Sequence, residues 1–150
     1  MIQGIYHVGL SVKDMDRSVA FYRDVLGLKY QGELLMEGEA TEKMFCREGC
    51  KARVAYLVGS RQLQGPQVEL IQFVPSDVEE QPMDLFRTCI SELCFVTEDI
   101  WALYRKLLDS GVEVFSEPQP FDFTESGFGK SLALYFRDPD GIILELMQPC

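Results

Sequence analysis

An α+β fold of two tandem units is predicted by three repeated features of the chain. The pentapeptides Val68-Glu69-Leu70-Ile71-Gln72 and Leu144-Glu145-Leu146-Met147-Gln148 are nearly identical, each an apolar strand run with one carboxylate at its centre. The segments from His7 to Met15 and from Glu92 to Ile100 repeat at a constant offset of 85, which aligns His7 with Glu92 and Asp14 with Asp99. Both segments run into an amphipathic helix that ends near a glycine. Each half therefore reads as a strand, a helix and then several strands.

The elements follow in order. Ile5 to Val12 alternates as a strand, with His7, Gly9 and Ser11 on one face and the apolar Val8, Leu10 and Val12 on the other. Met15, Val19, Tyr22 and Leu26 recur at spacings of four, three and four, so a helix is expected with Asp14 or Asp16 as N-cap and Gly27 as stop. Arg61 to Gln67, with Gly65 and Pro66, reads as a hairpin connection into the Glu69 strand. There Ile71 accompanies the acid while Val68 and Leu70 point away. Pro75 to Pro82 reads as the connection between halves. In the second half Glu92, Cys94 and Val96 share a strand face, and Ile100, Leu103, Tyr104, Leu107 and Leu108 form the helical stripe between Asp99 and Gly111. Glu117 to Lys130, rich in Phe, Gly and Pro, is expected to be a mobile loop or a hairpin over one mouth of the fold. Asp138-Pro139-Asp140-Gly141 is a turn into the last strand, where Ile143 and Met147 accompany Glu145.

At 150 residues and 47% hydrophobic the chain has enough apolar surface for one full core, whereas two units of about 70 residues would each be marginal alone. One domain spanning 1–150 is expected, with a first module over about 1–75, a linker over about 75–85 and a second module over about 86–150. Fourteen basic against 24 acidic residues give a net charge of -10, which opposes binding to nucleic acid or to an anionic membrane. The chain shows neither a secretory leader pattern nor an apolar run approaching the roughly 18 residues of a membrane helix, so a soluble, cytoplasmic protein is expected. Cys46, Cys50, Cys89, Cys94 and Cys150 form an odd set without a paired Cys-x-x-Cys motif, which fits free thiols in a reducing compartment.

The repeated acid carries the functional reading. An ionised carboxylate on a buried strand face costs several kcal/mol unless it is paired or bound to a cation. Glu69 and Glu145 therefore point to a shared cation, against the alternative of structural ion pairs with Arg53 or Arg137. If the halves curl toward each other, His7, Glu69, Glu92 and Glu145 look into one concavity.

Over essentially its whole length the chain resembles the vicinal oxygen chelate superfamily of glyoxalase, bleomycin resistance and extradiol dioxygenase proteins. The residues carrying the resemblance are His7-Val8-Gly9-Leu10-Ser11-Val12, then Asp16 to Leu28, then Val68-Glu69-Leu70, then Tyr135 to Gly141 running into Leu144-Glu145-Leu146. The resemblance implies two βαβββ modules forming a cupped mixed sheet around a central cavity, often in a homodimer. Covering the open sheet edges with a second copy agrees with that. It also implies a divalent metal with ligand slots at His7, Glu69, Glu92 and Glu145. Glu92 departs from the glyoxalase-like pattern, which has His in that slot, and is a ligand, a base beside the metal or the mark of a degenerate site.

His7 is the only histidine in the chain. An Fe(II) dioxygenase needs a facial triad containing two histidines, so that branch is disfavoured, as are the epimerase and fosfomycin-modifying branches with two histidines at their metal. The glyoxalase-like branch implies a metal-dependent lyase or isomerase moving a proton next to a carbonyl or hydroxy-carbonyl group of a small metabolite, with Glu145 as general base and Glu69 second. Three carboxylates and a neutral imidazole around a divalent ion sum to -1, which shifts preference toward Mn or Mg, with Zn and Ni also compatible. Phe121, Phe123, Phe128, Cys94 and Met147 are the candidate substrate contacts. The alternative is a non-catalytic protein of the bleomycin resistance type that sequesters a small molecule.

Overall fold

The computed structural model describes residues 3–59, 65–75, 79, 83–86 and 90–150. Two compact units, Met1–Glu80 and Gln81–Cys150, divide the chain, and each contains a four-stranded mixed sheet. Most of the predicted connections at Arg61–Gln67 and Pro75–Pro82, together with Cys89, lie outside the described residues.

In the first unit β1 (His7–Ser11) leads into α1 (Met15–Ala20), followed by β2 (Lys29–Met36), α2 (Glu39–Phe45), β3 (Lys51–Val58) and β4 (Gln67–Val74). The strand order is β1-β4-β3-β2, so β4 is flanked by β1, parallel to it, and by the antiparallel β3. Asp14 caps α1 by accepting a hydrogen bond from the Arg17 amide at 3.0 Å. The predicted helix continues to Gly27, but Phe21–Val25 winds as a π-helical turn closed by Leu26 N–H donating to the Phe21 carbonyl. The wider turn directs two consecutive aromatic residues inward, and Phe21 and Tyr22 meet edge-on at 5.4 Å. α2 has no counterpart in the sequence reading. It packs on the Glu69 face of the sheet, where Phe45 meets Phe73 edge-on at 5.2 Å.

The second unit runs β5 (Leu93–Val96), α3 (Ile100–Asp109), β6 (Gln119–Phe123), β7 (Gly129–Arg137) and β8 (Ile143–Pro149), with β8 between β5 and β7. Asp99 caps α3 through the Ala102 amide, and Gly111 ends it at a φ of 70° with its N–H donating to the Leu108 carbonyl. Ile100 and Leu107 are fully buried, while Leu108 of the predicted stripe is half exposed. The Glu117–Lys130 segment is a hairpin of β6 and β7 joined through a single 3-10 turn at Thr124–Ser126, so the hairpin alternative holds. That turn stands where the first unit has α2. Among the described residues no helix is long and apolar enough to cross a membrane.

The glutamines that close the repeated pentapeptides fasten helix to sheet in the same way in both units. Gln72 Oε1 accepts from the Met15 amide at 3.1 Å and Gln148 Oε1 accepts from the Ile100 amide at 2.8 Å. Each satisfies an N–H that the first helical turn leaves without an intrahelical partner. Ile100 is fully buried, so Gln148→Leu strands that donor away from water. The substitution is expected to lower stability by about 1–3 kcal/mol in chemical denaturation.

Candidate functional site

Glu69 stands at the centre of β4, paired in register with Gly9 on β1 and Tyr56 on β3. Glu145 stands at the centre of β8, paired with Cys94 on β5 and Tyr135 on β7. The duplicated acid thus sits mid-sheet in both units, with a tyrosine on one side and a small residue on the other.

In the first unit Glu69 is only 8% exposed and both carboxylate oxygens are engaged. Tyr56 Oη donates to Oε1 at 2.6 Å, and His7 Nε2 lies 3.2 Å from Oε2. The hydrogen bond to Glu69, reinforced by burial, pushes the Tyr56 phenol up to about 12, so it stays a neutral donor at physiological pH. Gly9 provides the room: a Cβ there would lie 3.3 Å from both Glu69 Oε2 and Ile71 Cδ1. Neither Arg53 nor Arg137 pairs with the acids, which rules out the structural ion-pair alternative. Arg53 lies on the opposite face of β3 from Tyr56, and binds Glu33 at 2.6 Å and Asp16 at 2.9 Å. Arg137 binds Glu113 and stacks over the Phe115 ring at 5.2 Å.

In the second unit the thiol of Cys94 occupies the place that Gly9 holds in the first. Cys94 is exposed at its surface, yet partial desolvation of its sulfur and the neighbouring carboxylates of Glu145 and Glu92 push this thiol up to about 12. Tyr135 is raised as well, by burial first and then by the charges of Glu145, Glu92 and Cys94. As register partners, Cys94, Tyr135 and Glu145 share one face of the sheet. Glu92 itself precedes β5 instead of lying within it, and accepts a hydrogen bond from the Ser91 hydroxyl. Among the described residues, no three His, Cys, Asp and Glu side chains gather into a metal-binding group.

Because its ordinary acidity is suppressed, Cys94 in the metal-free protein is expected to react slowly with iodoacetamide at pH 8 and faster as pH rises toward 12. Glu145→Gln is expected to speed the reaction several-fold but not fully, since burial is the larger cause. Peptide mass spectrometry reads the rate, and an unchanged rate in Glu145→Gln refutes an influence of the Glu145 charge on the thiol.

The other candidate contacts are placed unevenly. Met147 pairs with Val96 and Ala133 and shares the Glu145 face. Phe121 and Phe123 lie on the same face at the far strand, their rings stacked at 5.8 Å and both substantially exposed. On a flat sheet Phe121 is two strands and four rungs from Glu145, roughly 16 Å away, so it suits only the distal end of a ligand. Phe128 lies in the hairpin turn and is 86% exposed.

The donors of the first unit fit a divalent ion. Two ligands bonded at about 2.1 Å to one ion are separated by roughly 3.0 Å at an octahedral angle and 3.4 Å at a tetrahedral one. His7 Nε2 and Glu69 Oε2, at 3.2 Å, fall between these values.

The family model for the glyoxalase/bleomycin resistance protein/dioxygenase superfamily matches residues 4–146. The chain belongs to this superfamily. Within the superfamily it is 28% identical over 145 residues to a probable lactoylglutathione lyase of Vibrio cholerae, covering 96% of this chain and 89% of that protein. It is also 28% identical over 148 residues to the metallothiol transferase FosB of Shouchella clausii, covering 97% of this chain and 80% of the relative. A glyoxalase family protein from Bacillus cereus superposes with a TM-score of 0.85 at 19% identity, covering 99% and 95% of the two chains, and shares the fold of two βαβββ modules. Equal identity to a lyase and to a transferase leaves the superfamily established and its reaction to the site chemistry.

Sequence reasoning missed Tyr56 and Tyr135. The motif Tyr135-Phe136-Arg137-Asp138 was legible, but the tyrosines precede their acids by 13 and 10 residues, and unequal spacing hides the repeat. Only the strand register shows that both stand directly across from a central glutamate.

Proposed function

We propose that the protein is a metal-dependent lyase or isomerase of the glyoxalase type that moves a proton next to a carbonyl or hydroxy-carbonyl group of a small metabolite. The observation that carries this reading is the His7–Glu69 pair, held at ligand-like separation with Tyr56 on the remaining oxygen. The ligand slots that the family resemblance gives, His7, Glu69, Glu92 and Glu145, are the candidate donors to a divalent ion in this reading, with Mn and Mg suited to an oxygen-rich set and Zn and Ni also compatible. When bound, that ion supplies charge stabilisation for oxygens that become negative as a neighbouring proton leaves. Glu145 takes the proton. Both Glu69 oxygens are engaged by Tyr56 and His7, whereas Glu145 has the small side chain of Cys94 as its register partner on β5 and is only partly buried. Cys94, Met147 and Tyr135 border the reacting end of the substrate, and Phe121, Phe123 and Phe128 its far end. Exposed edge strands support a homodimer, and four free thiols among the described residues support a reducing, cytoplasmic setting.

The exposed, stacked Phe121 and Phe123 favour a second reading, in which the protein sequesters a flat small molecule without chemistry. Elemental analysis of protein purified without added metal or chelator, followed by reconstitution with Mn, Mg, Zn or Ni, separates the two. The enzyme reading requires near-stoichiometric metal and metal-dependent exchange of a substrate C–H proton for deuterium. Failure to take up any of the four ions, with retained affinity for aromatic ligands, establishes sequestration.

A further inference from the structure

We infer that Tyr56 is a positioning residue that fixes the orientation of Glu69, so that one carboxylate oxygen is reserved for the imidazole side of the site. The inference rests on the proposed metal-dependent function and extends it to a residue outside the ligand set.

A glutamate side chain at mid-strand has three rotatable bonds, and its two oxygens are chemically equivalent. Without a constraint, its carboxylate samples several orientations and either oxygen faces the histidine. Three features remove that freedom. The phenol O–H of Tyr56 takes Oε1 at 2.6 Å, the length of a strong hydrogen bond to an ionised acceptor. Tyr56 itself is held by its place opposite Glu69 in the β3–β4 ladder and by its ring contact with His7 at 6.2 Å between centroids. On the other side Gly9 leaves only enough room for Oε2 to lie over β1, where His7 Nε2 approaches it. The carboxylate is therefore clamped between a donor and a glycine, and Oε2 alone points toward His7.

Fixing the carboxylate in advance means that an ion does not have to order it on binding. Hydrogen-bond partners that orient metal ligands typically contribute 10–100-fold in affinity. In the second unit the surroundings of the acid differ, because Cys94 stands in the Gly9 place beside Glu145 and its thiol reaches the Phe95 carbonyl at 3.9 Å. Tyr56 therefore marks Glu69 as the held carboxylate of the pair.

The test is titration of the metal-free full-length protein with Mn2+ for wild type, Tyr56→Phe and Tyr56→Leu, read by the EPR signal of free Mn2+. Broadening of the imidazole C–H resonances provides a second readout, unambiguous because His7 is the only histidine. Tyr56→Phe is expected to bind about tenfold or more weakly at unchanged stoichiometry. Tyr56→Leu is expected to match it within about twofold, since the hydroxyl and not the ring carries the effect. An affinity of Tyr56→Phe equal to wild type, or a loss confined to Tyr56→Leu, overturns the inference and leaves Tyr56 a packing residue. If wild type takes up none of Mn2+, Mg2+, Zn2+ and Ni2+, the metal-dependent reading falls instead. Crystal structures of the metal-free proteins then decide Tyr56: the inference stands if the Glu69 carboxylate turns in Tyr56→Phe and is overturned if it keeps its place.

Discussion

Glu69→Gln is expected to weaken Mn2+ binding by at least 100-fold, or about 2.7 kcal/mol, while leaving the protein folded. The substitution removes a full charge from the position where Glu69 Oε2 faces His7 Nε2 at 3.2 Å, but it preserves the length and shape of the side chain. Its amide oxygen can still accept the Tyr56 hydrogen bond, so the cost to stability is expected to stay within about 1 kcal/mol. Calorimetric titration with Mn2+ beside thermal melting separates the two effects. A melting temperature far below wild type with retained Mn2+ affinity would make Glu69 a structural acid and remove it from the site.

The second large effect is expected at Glu92. Its charge, together with that of Glu145, bears on both Cys94 and Tyr135, so the second unit concentrates negative charge on one side of its sheet. Without a cation such charges repel, and binding of one to the folded state alone adds stability by mass action. Chelation is therefore expected to lower the melting temperature of wild type by several degrees. Glu92→Gln is expected to bind metal more weakly and to lose most of the chelator response. Glu92→His is expected to shift preference toward Zn or Ni, because imidazole suits those ions better than a third carboxylate. If chelation leaves wild type unchanged and Glu92→Gln raises its melting temperature with or without metal, Glu92 marks a disused site and the sequestering reading prevails.

The central acid of the first unit is the more firmly held of the two. Glu69 is nearly buried and engaged through both oxygens, whereas Glu145 is partly exposed and stands across from Cys94 on β5. Along the sequence repeat the two units differ at Gly9 against Cys94, within the strands, and at His7, which begins β1, against Glu92, which precedes β5.

The amino-acid sequence by itself determined the repeat, the α+β class, the capped helix starts at Asp14 and Asp99, and which acids occupy the centre of a strand. Each of these is local: alternation with period two and a cap three residues from its amide are written in neighbouring residues. Tertiary structure alone decided that Tyr56 faces Glu69, that Arg53 turns to the helix side, that Phe21–Val25 widens into a π-helical turn, and that α2 covers part of the Glu69 face. Those outcomes depend on register between strands that are distant or unequally spaced in the chain, and on how much aromatic volume must be packed under one helix. Register is set by the pairing of whole strands, so no short window of sequence contains it.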